Sequence, residues 1–180
     1  MGEKNGYDLV ACRSCGTSMV WPWITDQVRE QYFGETEPQI THSANPDRDI
    51  EHRKKMILRV MPDPKGKKFL DICSQNGYAV MAAKQLGMDA HGIDEHEFFV
   101  DFARSKFGEG LFDNASAIEF ALTHQAEYDF IFGLEAFSLQ THPDSLVVAM
   151  AKMLKPDGII YLEEPDGNHW NLPRKFSLWP

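Results

Sequence analysis

From Lys67 to Leu162 the chain alternates short apolar runs with amphipathic stretches, and no other feature constrains its fold as strongly. Phe69–Cys73, Asp89–Asp94, Tyr128–Phe132 and Ile159–Leu162 read as short buried strands, with a further one near Leu111-Phe112. Helical spacing between them predicts helices over Gly77–Leu86, Glu95–Phe107, Ala117–His124 and Pro143–Leu154. Ala79, Ala82, Ala83 and Leu86 share one face of the first helix, and Phe98, Phe99, Phe102 and Ala103 turn inward from the second. Leu146, Val147, Met150, Met153 and Leu154 form the apolar stripe of the last. Gly87 stops the first helix, and Lys155-Pro156-Asp157-Gly158 stops the last. Strands that alternate with helices are joined by right-handed crossovers, which makes them parallel neighbours in a sheet covered on both faces. The expected fold class is therefore α/β, doubly wound, with a mainly parallel sheet.

The first 44 residues differ in texture and are expected to form a separate segment, with the α/β domain spanning residues 45–180. They carry Cys12-Arg13-Ser14-Cys15-Gly16, then Trp21-Pro22-Trp23, then a short helical pattern from Asp26 to Phe33, and otherwise read as irregular. Asn45-Pro46-Asp47 combines an Asx cap with Pro at the first helical position, which predicts a charged helix running to about Met61. Pro62 and Pro64 end it.

Eighteen basic residues against 27 acidic ones give a net charge of -9. That charge repels a phosphate backbone, so no nucleic-acid partner is expected. The apolar runs fall far short of the roughly 20 residues that a membrane span requires, so no membrane partner is expected either. The amino terminus has no secretory apolar run and the three cysteines form no even set, which together point to a reducing, cytoplasmic location.

In an open parallel sheet, ligands bind beyond the carboxyl ends of the strands where the winding reverses. The first loop there, Asp71-Ile72-Cys73-Ser74-Gln75-Asn76-Gly77, joins a strand-end acid to a glycine at a helix start. The second strand ends in Asp94, placed as an acid that accepts from ribose hydroxyls commonly is. A helix cap is the other reading of Asp94, and a cap or turn former the other reading of Asp71.

Phe69 to Gly77, the acid in Gly92-Ile93-Asp94, the strand Tyr128–Phe132 and the run Leu154 to Ile160 together resemble class I S-adenosylmethionine-dependent methyltransferases. Tyr7 to Gly16, followed by Trp21-Pro22 and Tyr32-Phe33, resembles the lead-in of a subgroup with an N-terminal CxxCG segment associated with sugar modification. The resemblance implies a Rossmann-like methyltransferase fold, S-adenosylmethionine as cofactor and a small molecule or sugar as methyl acceptor. It implies a cofactor site drawn from Asp71, Cys73, Gln75, Gly77, Asp94 and Ser116, with Asp71 beneath the methionine portion and Asn114, Ala115 and Ser116 near the adenine. Glu135 and His142 are the implied catalytic candidates, as bases for a hydroxyl acceptor. A plain helix start is the other reading of His142-Pro143-Asp144.

Two departures from the family pattern matter. Cys73 stands where the family normally has glycine, and Gln75 where it commonly has a small residue. The residues after Pro165, interrupted by Gly167, Pro173 and Pro180, are too few for the usual C-terminal edge hairpin. The fifth strand is then an open edge that the tail, the N-terminal segment or a second copy is expected to cover, the last making a homo-oligomer. Both departures keep an alternative open, a non-catalytic binding or assembly module on the same fold. A nicotinamide enzyme is disfavoured because the first loop lacks G-x-G-x-x-G spacing. Cys12 and Cys15 supply half of a tetrahedral zinc site, so zinc is the second cofactor weighed, against a metal-free turn. Glu163-Glu164 at the end of the fifth strand reads either as a substrate-positioning pair or as a solvated loop.

Overall fold

The expected alternation is realised as a five-stranded sheet in a computed structural model that describes residues 3–4, 6–31, 45–138 and 140–164. Its strands are β4 (Lys68–Ile72), β5 (Asp89–Asp94), β6 (Phe112–Asn114), β7 (Tyr128–Leu134) and β8 (Leu154–Glu163). All pair in parallel, in the order β6-β5-β4-β7-β8. The chain winds outward from β4 through β5 to β6 and then returns to the other side of β4 with β7. The reversal therefore lies between β4 and β7, and the crevice beyond their carboxyl ends is where this topology places a ligand.

Helices α1 (Pro46–Val60), α2 (Tyr78–Gln85) and α3 (Glu97–Phe107) cover one face, and α4 (Ala117–Phe120) and α5 (Pro143–Met153) the other. Phe69, Phe130 and Phe132 pack against α1 and α2 on the first face, with the Phe69 and Phe130 rings edge-on at 5.6 Å. Leu70, Ile72 and Ile131 pack against Leu146, Met150 and Met153 on the second. Burying each of these large side chains contributes about 1.5–3 kcal/mol, which is why both faces must be covered. Asp71 lies opposite Gly92, and Asp94 is two residues beyond Gly92. Side chains alternate along a strand, so both acids project to the α1–α3 face.

The Asx cap of α1 forms as the sequence predicts, with Asn45 Oδ1 accepting from the Arg48 amide at 3.0 Å. Other boundaries differ. α3 starts two residues later than its pattern, because the Asp94 carboxylate accepts from the His96 amide at 3.0 Å and holds the chain out of the helix. α4 is one turn rather than two, and Leu111 belongs to a 3-10 turn before β6. β8 begins at Leu154, and the Lys155–Gly158 turn is absorbed as a register irregularity opposite Asp129. Phe98 and Val147, expected inward, are exposed by 42% and 45%.

The N-terminal stretch is more regular than its sequence suggests. β1 (Glu3–Lys4), β2 (Tyr7–Ala11) and β3 (Ser18–Trp21) form a small antiparallel sheet. Cys12–Gly16 makes the turn, closed by the Gly16 amide on the Cys12 carbonyl at 2.9 Å. Its strands are too short for a period-2 pattern to emerge from composition. Residues 26–31 are helical, and the rest of the predicted 26–33 helix lies outside the described residues, as do the expected domain boundary at 44 and the C-terminal tail. No helix among the described residues is long and apolar enough to cross a membrane.

Gly92 has no room for a side chain: a Cβ there would stand 2.8 Å from both Phe112 Cδ1 and Val80 Cγ2. Gly92→Ala is expected to cost about 1–3 kcal/mol by overpacking the α2–β6 contact. Denaturant unfolding of the variant beside the parent checks this, and an unchanged midpoint would contradict it.

Candidate functional site

The loop after β4 turns back on itself through three residues in the left-handed region, Cys73 at φ 54°, Gln75 at 43° and Gly77 at 74°. Only glycine adopts that conformation without cost, so two side-chain residues hold a glycine-type shape here, at roughly 1 kcal/mol or more each. What fixes the loop is Asp94. Its Oδ2 accepts from the Gln75 amide at 2.9 Å while Oδ1 accepts from His96, and the Ser74 amide donates to the Ile93 carbonyl at 3.0 Å. From the next strand the Asn114 side-chain amide and the Ala115 amide both donate to the Asp94 carbonyl, at 3.0 Å each. Asp94 thus ties the tips of β4, β5 and β6 together, while α3 takes His96 as its cap residue and has no side-chain cap bond. A carboxylate has about four lone-pair sites, so two stay open after the amides are bound.

Asp71 and Asp94 are each only 4% exposed. Burial pushes the Asp94 carboxyl above its ordinary value, opposed by its two amide partners. Burial drives Asp71 up to about 8, with the charge of Arg53 opposing and that of Asp94 adding to the rise. No described residue donates a hydrogen bond to the Asp71 carboxyl, and it therefore carries its proton at neutral pH. The neighbouring Ser74 hydroxyl is buried without a hydrogen-bond partner. Burial, then the negative charges of Asp94, Glu95 and Asp71, lift the Cys73 thiol well above its ordinary value, which rules it out as a ready nucleophile.

Residues that the sequence reading did not single out close over this crevice. Arg29, from the helical segment 26–31, makes a bidentate pair with Glu95, Nη1 to Oε1 at 2.8 Å and Nη2 to Oε2 at 2.7 Å. Arg29 holds Glu95 below the ordinary carboxylate range. Trp23 Nε1 donates to the Thr141 carbonyl at 2.8 Å, and the Thr141 hydroxyl donates to Asp26. Gln140 Nε2 reaches the Cys73 sulfur at 3.8 Å. The N-terminal segment and the loop after β7 thus meet at the strand tips, a meeting between residues too far apart in the chain for local pattern to reveal.

The remaining predicted residues divide. Gly77 starts α2, but a Cβ there would lie 2.6 Å from Phe112 Cζ and 3.2 Å from Ala103 Cβ, so its close approach is to the protein's own core. The Ser116 hydroxyl is engaged in a capping box with Glu119, accepting its amide at 3.2 Å and donating to its carboxylate at 2.8 Å. Glu135, at φ 55°, and His142, the residue before α5, are exposed on the loop after β7. Glu164 accepts from the Phe137 and Ser138 amides at 2.8 and 3.0 Å and thereby holds that loop in place, while Glu163 accepts from the Tyr161 hydroxyl at 2.8 Å. Cys12 and Cys15 flank their turn, where hydrogen bonding to Thr17 holds the Cys15 thiol below its ordinary value. No third metal-ligating side chain joins them among the described residues.

The family profile described as a methyltransferase domain matches residues 47–180. A ubiquinone biosynthesis O-methyltransferase of Azoarcus sp. (strain BH72) is 33% identical over 107 residues, 57% of this chain and 46% of that protein. The chain thus spans about half the length of the curated relatives it matches. Among solved structures, the PH0226 protein of Pyrococcus horikoshii OT3 superposes with a TM-score of 0.67 at 19% identity, over 82% of this chain and 71% of that one. A SAM-dependent methyltransferase from Archaeoglobus fulgidus does so with a TM-score of 0.62 at 22% identity, over 83% and 65%. These two likenesses establish the fold.

Asp71 keeps its proton when folded and loses it near the ordinary pKa of about 4 when unfolded. The folded state thus binds the extra proton between about pH 4 and 8, and stability drains away as pH rises through that window. Asp71→Asn should abolish this drain, leaving stability near parental at pH 4 and raising it by on the order of a few kcal/mol at pH 8. Thermal unfolding from pH 4 to 8 tests this, and parallel curves for parent and variant would refute the protonated Asp71.

Proposed function

Because this chain belongs to the methyltransferase-domain family, we propose that it binds S-adenosylmethionine over the tips of β4 and β5 and passes the methyl group to a hydroxyl of a small molecule. The observation that carries the reading is that two buried acids, Asp71 of β4 and Asp94 of β5, project to one face beside the point where the sheet's winding reverses between β4 and β7. Asp94 has the two free lone-pair sites that a pair of ribose hydroxyls requires. The Ser74 hydroxyl is buried without a hydrogen-bond partner among the described residues, beside the buried Asp71 carboxyl, and both are suited to the charged methionine end of such a ligand.

When bound, the cofactor supplies an electrophilic methyl on a sulfonium centre. The residues of this chain bind and align, and alignment of this kind is worth up to roughly 7–11 kcal/mol of a barrier. The Arg29–Glu95 pair and the Gln140–Cys73 contact hold the segments that meet at the strand tips. Glu135 and His142 stand on the loop after β7, where a hydroxyl acceptor needs a base. The hydroxyl as acceptor is supported by the relatives whose names say O-methyltransferase.

A second reading, a binding or assembly module that keeps the fold without catalysis, is favoured by the side chains of Cys73 and Gln75 in the crevice loop. Calorimetry separates the two. S-adenosylhomocysteine should bind, and Asp94→Asn, which keeps the shape but spoils the acceptor pair, should weaken it by about tenfold or more, equivalent to 1.4 kcal/mol. A cation seated near Asp71 draws off its proton, so binding at pH 7 should release up to about one proton, read as heat that differs between buffers. No heat at millimolar ligand would remove the enzyme reading.

A further inference from the structure

On the second face of the sheet the α/β core leaves part of α5 uncovered. α4 is a single turn, so it shields only part of α5, and a groove of about 300 Å³ remains between them. Ile118, Leu122 and Val148 line it and are 42%, 70% and 53% exposed, with Val147 beside them at 45%. Apolar side chains gathered along one exposed groove offer a surface that a partner could cover.

The charges on the groove say what fits it. Asp144, Val148 and Lys152 all line it, spaced at i, i+4 and i+8 on one stripe of α5. Val148 is the midpoint, with the acid one helical turn before it and the base one turn after. Such a stripe is complementary to itself when run antiparallel. About a two-fold axis through Val148, Asp144 of each copy faces Lys152 of the other, about 6 Å either side of the axis. Neither charge forms an ion pair within the chain among the described residues, so both remain available. Ile118 and Leu122 stand beside the axis, placed to close over the apolar centre of the second copy.

We propose that two copies of this chain associate through α5, antiparallel about Val148, with α4 as the flank. The edge of β8, unpaired among the described residues, is the competing surface for self-association. Its apolar side chains, Ile159 to Leu162, are already half-buried, whereas those of the α4–α5 groove are not.

Sedimentation equilibrium of the full chain over a range of micromolar concentrations tests the proposal. A reversible dimer is expected, and Val148→Asp, which sets two like charges on the axis, should leave only monomer. Asp144→Lys and Lys152→Asp should each weaken the dimer by about tenfold or more, and the two together should restore it. The charge-swap set decides the matter even where Val148→Asp perturbs folding, which circular dichroism reports. A monomer at every concentration would overturn the proposal. So would a dimer indifferent to Val148→Asp, or a double swap that fails to restore association. None of these outcomes depends on whether the crevice binds a cofactor.

Discussion

Two carboxyl groups, Asp71 and Asp94, are buried near the tips of adjacent strands, where burial makes charging either of them costly, and the crevice is arranged around that constraint. Asp94 receives two backbone amides, from Gln75 and His96. Asp71 receives none and keeps its proton. The amide that reaches Asp94 comes from a loop forced through the left-handed region, so the electrostatics of one residue and the backbone strain of another are a single feature. Arg53 from α1 opposes the same negative field from beneath, and Arg29 holds the adjoining Glu95 from above.

The order of strands and helices was legible because burial on both faces of a parallel sheet writes continuous apolar runs into the sequence. Boundaries were less so. The delayed start of α3 depends on an Asp94 side chain bonding an amide, and the one-turn α4 on a capping box with nothing to extend it, neither of which periodicity records. Val147 and Phe98 satisfy the helical spacing of buried residues yet face solvent, since spacing defines a stripe but not its width. The N-terminal sheet escaped notice because its strands are short and joined by a turn that reads as a metal knuckle.

For the crevice, the strand-end acids and the loop that joins the first of them to Gly77 could be located from sequence, since position at a strand tip is a local property. The partners could not. Arg29 meets Glu95 and Trp23 meets Thr141 across separations in the chain of 66 and 118 residues, and only the fold brings them together. Glu164 shows the converse: one of two acids read either as a substrate-positioning pair or as a solvated loop instead accepts the Phe137 and Ser138 amides and holds the loop that carries Glu135.

The glycine-like path of the Cys73–Gly77 loop, followed without glycine at two of its three left-handed positions, bears on what the crevice can accept. A loop of glycines presents backbone alone to a ligand. This one adds the side chain of Gln75 and the Cys73 thiol, which packs against the core on the α4–α5 face and is touched by Gln140 from the loop after β7. The shape needed to bring amides toward a ligand is thus retained while the lining becomes bulkier and more polar. The strain of about 1 kcal/mol per side-chain residue is tolerated because the Asp94 bond to the Gln75 amide, formed in a desolvated site, offsets it. The shape of the loop therefore depends less on glycine than on the acid it folds around.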